Sequence, residues 1–510
     1  MLMHQLLIDQ AQRTPERLAL HWVDRDVTFT YQEAVQAMER MAGALASLGV
    51  GRGDRVAVFA HNGMDYLIAL FGTWRIGAIS ALVNVQFAHE LDYYYADHTP
   101  SVVIYTHDMA EAVRRAARSA GSVRHLICMD GPQEGALSLP ALMAANLPPP
   151  PDPWDETAIA HLAYTSGTTG KPKGACLAHE PTTRAARCIA ERLRITRDDE
   201  SFGPTALSSS YQLVANLLPP LSRGAGVHVM GKWNQTAGWD ALDRTAASLF
   251  VANPTLLGQV LHESRVRERL PGRLRAGLSG GGPVPPTLKR AWRDELGLPL
   301  VESFGQSELG GFMALGFPEL VAEDALLARV GPALPDKEVR IVDGARNPVA
   351  PGNIGEIELR GGFMQGYWGR PDKTADTIGT GWLRTGDLGM IDRDGFITMR
   401  GRRSELIETD GVLWFPRDVE EAFCQVPGVA QAALIGVPDA ELGQRPLAFI
   451  TLLGGDDVGV IEAGSLKAAI EGRVAYDLAP LVVSIVAELP MTPTGKVAKA
   501  ELAARWGALA

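Results

Sequence analysis

Apolar residues return at two different spacings along the first part of the chain. In TYQEAVQAMERMAGALASLG, Thr30 to Gly49, they recur every three or four positions, which predicts an amphipathic helix closed by Gly49. DRVAVFA, from Asp54, reads as a short strand; MDYLIALFGTWRIGA, from Met64, as a buried helix; and SALVNV, from Ser80, as the next strand. This β–α–β alternation predicts a largely parallel sheet covered by helices on both faces. A proline-rich connector, Asn146 to Glu156, leads to AIAHLAYTSGTTG, a strand entering a glycine-rich loop. Beyond it, helical runs (Thr182–Arg192, Trp239–Ala247, Pro254–Val260) alternate with strands (Gly226–Met230, Ser248–Val251, Leu274–Leu278).

From Val339 the pattern changes to strands and turns, VRIVD, GEIELRG and DLGMIDRDGFITMRGR, a small β-rich region. GRRSELIETDGVLWFPRDVEEAF, from Gly401, reads as a hinge and a fresh start. Single cores stop growing near ~250–300 residues, so a chain of this length needs more than one domain. The expectation is an α/β protein. Residues 1–400 form a large N-terminal domain of parallel-rich sheets between helices, with a small β-rich subdomain, and residues 401–510 form a small mobile α+β domain.

Composition narrows the function. Hydrophobic residues make up 46% and charged residues 21%, an ordinary globular balance. A net charge of -11 argues against general nucleic-acid binding, while local donors remain able to hold a small anion. The four cysteines form no CxxC pair and read as free thiols of a reducing cytosol. The N-terminus lacks signal-peptide character, and the most apolar stretch, Leu67 to Val83, is interrupted by Arg75, so it reads as core and not as a membrane span. These features together predict a cytoplasmic protein.

The densest chemistry is YTSGTTGKPKGA, Tyr164 to Ala175. It is not a Walker loop: Lys171 is followed by Pro172, and Thr165 stands where the first glycine is required. Its makeup still suits phosphate. Gly167 and Gly170 free the backbone to turn N–H groups inward, Thr165, Ser166, Thr168 and Thr169 add hydroxyls, and Lys171 and Lys173 add charge. A solvated flexible loop is the plain alternative, but this loop follows an apolar strand directly.

The loop resembles the signature of the adenylate-forming superfamily, which contains acyl-CoA synthetases, peptide-synthetase adenylation domains and firefly-type luciferases. The resemblance recurs in order along nearly the whole chain. ESFGQSELG, Glu302 to Gly310, is similar to the aromatic-G-x-T-E element: it implies Phe304 on adenine, Gly305, Gln306 and Ser307 beside it, and Glu308 on Mg²⁺. SGGGPVP resembles the segment lining adenine and acyl pocket, with Gly280 on the acyl side and Gly281, Gly282 and Pro283 on the nucleotide side. GEIELRGGFMQGYWGRPDKT resembles a further family run. WLRTGDLG implies Asp387 on the ribose hydroxyls, GRRSELI implies Arg402 as the second ribose contact, and LPMTPTGKVAK implies Lys496 as a mobile catalytic lysine.

The implied chemistry joins a carboxylate to the α-phosphate of ATP, releases pyrophosphate, and passes the acyl group from AMP to a thiol. Charge must be neutralised where it develops: Mg²⁺ on Glu308, the Thr165–Lys173 loop on the β- and γ-phosphates, and Lys496 on the carboxylate and α-phosphate. The acceptor is CoA, or the phosphopantetheine arm of an acyl carrier protein. A nucleotide-binding protein that has lost the thiol step is a different class, which the joint presence of Glu308, Asp387, Arg402 and Lys496 argues against. Relatives of this kind are monomers or homodimers.

Two places depart from the resemblance. Ser404 stands where the hinge usually carries Asp or Lys, and in IETDGVLWFP Asp410 replaces the first of two glycines beside the pantetheine channel, Gly411 being the second; Glu408 replaces Lys and Trp414 a smaller residue. In TALSSSYQL, Ser209 takes the usual His position and Gln212 the usual Gly, while Ser210 stands where amino-acid-activating relatives carry Asp. An ammonium would be left unpaired there, so a free amino acid is not expected. Gly280, Gly281, Gly282 and Gly310 suggest a roomy floor, and Tyr211 and Phe312 an apolar wall, suited to a fatty, alicyclic or aryl acid; Arg223 and Lys232 are the remaining partners for a second carboxylate. GLSGG also fits the hydrolase elbow with Ser279 as nucleophile, but GPVPP follows it and delays any helix. The histidines lack metal spacing, and His161 and His228 read as core.

Overall fold

Thr30 begins the predicted first helix by capping it. β1 (Leu18–Trp22) and β2 (Val27–Thr30) lead into α1 (Tyr31–Ser47). At its start the Thr30 hydroxyl accepts the Glu33 N–H (3.2 Å) and the Glu33 carboxylate accepts the Thr30 N–H (2.8 Å). The computed structural model describes residues 1–165, 171–452, 462–492 and 497–507.

After α1 the chain builds β3 (Arg55–Phe59), α2 (Met64–Arg75), β4 (Ile79–Leu82), α3 (Leu91–His98), β5 (Val102–Tyr105), β6 (His125–Cys128), β7 (Leu137–Ser138), β8 (Ile159–Tyr164) and β9 (Gly174–Ala178). Strands β3 to β9 form a seven-stranded sheet in the order β7-β6-β5-β3-β4-β8-β9, parallel except for the β8–β9 pair at its edge. α2 is buried along nearly its whole length, as its all-round apolar sequence requires. Arg75 at its end pairs with Glu39 (2.9 Å) and donates to the Pro150 carbonyl (3.2 Å), which places the proline connector over this helix. Gly72 meets α1 so closely that a Cβ there would lie 2.4 Å from Met41.

α4 (His179–Arg192) crosses to a second sheet made of β10 (Glu200–Gly203), β11 (Gly226–Val229), β12 (Leu249–Ala252), β13 (Ala276–Ser279), β14 (Leu300–Gln306) and β15 (Gly311–Leu315), joined by β1 and β2. Its eight strands run β15-β14-β13-β12-β10-β11-β1-β2, antiparallel only at the two edges. One continuous core joins both sheets with α1, α2 and α4 between them. The helix expected at Trp239–Ala247 begins earlier, at Gln235, because Asn234 caps it: its side chain accepts the Ala237 N–H (3.1 Å).

The β-rich region is a five-stranded antiparallel sheet, β16 (Gly331–Pro332), β17 (Glu338–Val342), β18 (Gly355–Arg360), β19 (Leu383–Ile391) and β20 (Phe396–Arg402), ordered β16-β20-β19-β18-β17. The smaller C-terminal domain has β21 (Ile407–Thr409), β22 (Val412–Trp414), α5 (Pro416–Cys424), β23 (Val429–Asp439), β24 (Gly443–Leu452), β25 (Val482–Ile485) and α6 (Lys499–Gly507). Its strands pair β22-β21-β24-β23, with β25 parallel to β24. Among the described residues no helix is long and apolar enough to cross a membrane.

Candidate active site

Both loops singled out in the sequence are hairpins at sheet edges, where an antiparallel pair ends a parallel run. A short connection can join only antiparallel neighbours. The first hairpin is β8–β9. Ser166, Gly167, Thr168, Thr169 and Gly170 lie outside the described residues, but the stem is described. The Thr165 N–H donates to the Lys173 carbonyl (3.0 Å), and the Lys173 N–H donates to Thr165 Oγ1 (3.4 Å), which leaves the hydroxyl hydrogen of Thr165 to point elsewhere. The Lys173 ammonium lies 4.3 Å above the ring of Tyr367. The Tyr367 hydroxyl donates to Glu308 Oε1 (2.7 Å), and burial, with the Glu308 charge, pushes this phenol up, so it stays a donor.

The second hairpin is β14–β15. β14 delivers Phe304, Gly305 and Gln306, all half-buried, and a single turn holds Ser307 and Glu308 before Gly310, whose φ of 58° closes the connection. A Cβ on Gly305 would lie 2.7 Å from the Gly311 carbonyl, so only glycine lets the two strands approach here. The Gln306 amide donates to the Thr385 carbonyl (2.9 Å) and to the Asp387 carboxylate. Asp387 faces Arg402 across the β19–β20 ladder, with an ion pair of 3.1 Å. Loop stem, Glu308, Asp387 and Arg402 are thereby tied together through Tyr367 and Gln306.

Among the residues expected to line the acyl pocket, Tyr211 and Phe312 pack together with ring centres 5.9 Å apart. The Tyr211 hydroxyl, however, is anchored on the Leu278 carbonyl (3.2 Å), so the ring is oriented as well as apolar. Ser209 Oγ accepts the Tyr211 N–H (3.3 Å), and Ser210 lies 3.4 Å from the Ser307 hydroxyl, which links this segment to the nucleotide hairpin. Gln212 is buried at the start of a π-type turn and donates to the Gly203 carbonyl (2.8 Å). The glycines divide. A Cβ on Gly280 would meet Ser303 Oγ at 2.3 Å and Tyr211 at 2.8 Å, and one on Gly310 would meet Thr182 at 3.1 Å, so both mark close packing. Gly281 has open space beyond it and Gly282 has only Pro254 at 3.9 Å, so the room lies there, beside Pro283. Arg223 is exposed in the turn after the helix Leu218–Leu221, sharing a surface cavity with Arg184 and Arg187 of α4, and Lys232 is exposed as well.

Ser279 is fully buried at the end of β13, and Gly280–Pro285 separate it from the next helix, which is not the strand–turn–helix of a hydrolase elbow. His161 is core, held beside Ser80 (2.9 Å) and lowered by burial to about 4. His228 is buried between His21 (2.8 Å) and Glu200 (2.7 Å).

The sequence profile of the AMP-binding enzyme family matches residues 7–368, and that of the AMP-binding enzyme C-terminal domain matches 418–496. The chain belongs to the AMP-binding enzyme family. It is similar to a feruloyl-CoA synthase of Amycolatopsis sp, 32% identical over 482 residues and 94% of each chain. It is also similar to the indoleacetate–CoA ligase of Aromatoleum aromaticum, 31% identical over 490 residues, 95% of this chain and 94% of the other. Among solved structures it is similar to ATP-bound MatB from Rhodopseudomonas palustris, with a TM-score of 0.89, 26% identity and 99% of both chains covered. Within the family it falls in the CoA-ligase branch, and it is an acid–thiol ligase.

The residues expected at the hinge and thiol channel are placed differently. Ser404 is exposed in the turn Arg403–Glu405 between β20 and β21. Asp410 and Gly411 are the two central residues of the β21–β22 hairpin, with φ of 49° and 72°. Both positive values suit a type I′ turn, for which Asp-Gly is a favoured pair. Trp414 is buried in the small domain and stacks on Tyr476 (4.6 Å, 11°), so its bulk fills that core. Lys496 lies outside the described residues; Lys499, three positions further on, pairs with Glu405 (3.0 Å) and Glu420 (2.8 Å). Sequence reading assigned no role to Tyr367 or Thr385, although both lie in segments that carry the family resemblance. Asp97, which bonds Tyr164, left no local signal at all.

Proposed function

We propose that this protein activates a hydrophobic carboxylic acid, fatty, alicyclic or aryl, as an acyl-adenylate at the expense of ATP, and then transfers the acyl group to CoA, releasing AMP and pyrophosphate. The observation that carries this reading is the convergence of the Thr165–Lys173 stem, Glu308 and the Asp387–Arg402 pair at one place. Asp387 and Arg402 hold the ribose. Phe304, Gly305, Gln306 and Ser307 line adenine with Gly281, Gly282 and Pro283, where open space is available. Thr165, Lys173 and the loop between them take the β- and γ-phosphates. The hard carboxylate of Glu308, with hydroxyls on both hairpins, is a donor set suited to Mg²⁺, which when bound neutralises phosphate charge. Lys496 would place its point charge between the carboxylate and the α-phosphate.

The apolar substrate class rests on Tyr211 and Phe312, on the absence of an acid at Ser209, Ser210 and Gln212, and on the solvent exposure of Arg223 and Lys232. The relatives named feruloyl-CoA synthase and indoleacetate–CoA ligase favour an aryl acid. The small domain, 401–510, acts as a lid that carries Lys496, turning about Arg402–Ser404 so that the Asp410–Gly411 hairpin faces the thiol in the second half-reaction.

Incubation with ATP, Mg²⁺ and a panel of short- to long-chain and aryl acids, with and without CoA, tests the reading by pyrophosphate and AMP release. Acid-dependent pyrophosphate with CoA-dependent turnover is expected. Pyrophosphate without CoA turnover would shift the acceptor to a carrier-protein phosphopantetheine arm, and no acid-dependent pyrophosphate would overturn the function.

A further inference from the structure

α3 presents Tyr93 and Asp97, four residues apart and so on one helix face, to both legs of the Thr165–Lys173 loop. On the outgoing leg, the Tyr93 hydroxyl donates to the Pro172 carbonyl (2.6 Å). On the incoming leg, the hydroxyl of Tyr164, the last residue of β8, donates to Asp97 Oδ2 (2.8 Å). Arg370 joins the two: its guanidinium donates to Asp97 Oδ1 (2.8 Å) and to the Tyr93 hydroxyl (3.2 Å). A single hydrogen-bonded chain therefore runs from Pro172 through Tyr93, Arg370 and Asp97 to Tyr164.

Its members are well held. The Asp97 side chain is 8% exposed and receives a bond on each oxygen. The Arg370 charge is reinforced by Asp97. His98, 3.0 Å from the Tyr164 hydroxyl, is lowered to about 3, by burial and then by Arg55, and adds no charge of its own. The Lys171 ammonium lies 5.0 Å over the Tyr93 ring, a further tie on the outgoing leg.

We propose that Tyr93, Asp97 and Arg370 are positioning residues for the phosphate loop: they set the separation of its two legs and so place Thr165 and Lys173 against the β- and γ-phosphates of ATP. The inference rests on the adenylation reading. A preset stem lowers the ordering cost of gripping the triphosphate, and that benefit is confined to ligands that carry the distal phosphates.

Calorimetric titration of MgATP and of AMP into the wild type, Tyr93→Phe, Asp97→Asn and the double variant tests it, because AMP lacks the β- and γ-phosphates. Loss of one buried, partly charged hydrogen bond predicts an ATP Kd raised about tenfold in each single variant, with AMP unchanged within about twofold. The double variant should be no weaker than the worse single one, since both break the same chain. Equal ATP affinity in wild type and Tyr93→Phe overturns the proposal, and so does a parallel loss of ATP and AMP, which marks general damage. Tyr93→Phe keeps the ring and decides the matter even where Asp97→Asn fails to fold. A wild type that binds neither nucleotide overturns the adenylation reading itself, an outcome read from the wild-type arm alone.

Discussion

The residues proposed for the nucleotide (the nucleotide side) and those proposed for the thiol (the thiol side) are held in opposite ways. On the nucleotide side each side chain is gripped by partners from distant segments: Glu308 by Tyr367, Asp387 by Arg402 and Gln306, Tyr164 by Asp97. On the thiol side the residues that depart from the family pattern are gripped by little. Asp410 and Gly411 are exposed at a hairpin tip, Ser404 is exposed in a turn, and Trp414 is buried only within its own small domain. A network of reciprocal hydrogen bonds leaves an oxygen or a guanidinium stranded when one member changes. A two-residue turn asks only for backbone that tolerates positive φ, which Asp supplies nearly as well as Gly.

The largest effect that sharpens this contrast is expected from Lys496→Ala. In the role proposed for it, loss of this charge should lower acid-dependent pyrophosphate release by about 10²–10³-fold while ATP binding survives. An unchanged rate would take that lysine out of the nucleotide apparatus.

pH separates the two regions next. All 11 histidines lie at or before His262, none in the small domain. Burial first of all lowers His98 to about 3, His161 to about 4 and His179 to about 3, so the folded protein keeps them neutral. Because their folded values are depressed, unfolding takes up protons as pH falls below the unfolded value of about 6.5, and stability drops across that window. Each such group should cost on the order of 2 kcal/mol at pH 5. Denaturant melts at pH 7 and pH 5 should show the large domain weakening while the small domain changes little; equal weakening of both would break the comparison.

Gly411→Val should destabilise the small domain by about 1–3 kcal/mol, because a β-branched residue is forced to positive φ. A thermal melt that leaves the large-domain transition in place checks it. The smallest effect is expected from Asp410→Gly, within about 0.5 kcal/mol in stability, since the turn accepts either residue. Adenylation measured by pyrophosphate release should be unaltered, and any change should appear only in CoA-dependent turnover. A loss of adenylation in this variant would mean that the hairpin touches the first half-reaction.

Much of the protein was legible before any coordinates. The spacing of apolar residues located α1, α2, β3 and β4, because helix and strand periods are written within a few residues of each other. The Thr30–Glu33 capping box and the Asp410–Gly411 hairpin are local features too, although the spacing of apolar residues did not single them out. The ordered resemblance from Thr165 to Lys496 pointed to the family, and it supplied the residues proposed for the chemistry. What sequence could not reveal is the company those groups keep. Asp97 lies 67 positions from Tyr164, and Arg370 lies 273 from Asp97. Glu308 meets Tyr367 across 59 positions, and β1 pairs with β11 across the whole first sheet. Gly280 and Gly281 look alike in the sequence, yet Tyr211 and Ser303 crowd one and leave the other open. Local pattern is set by short-range sterics and turn chemistry, so the chain alone determines its elements and the motifs that carry the family resemblance. Which of those residues share a bond, and how firmly each is held, depends on strand order and layer packing, and only the tertiary structure brings segments hundreds of residues apart to within 3 Å of one another.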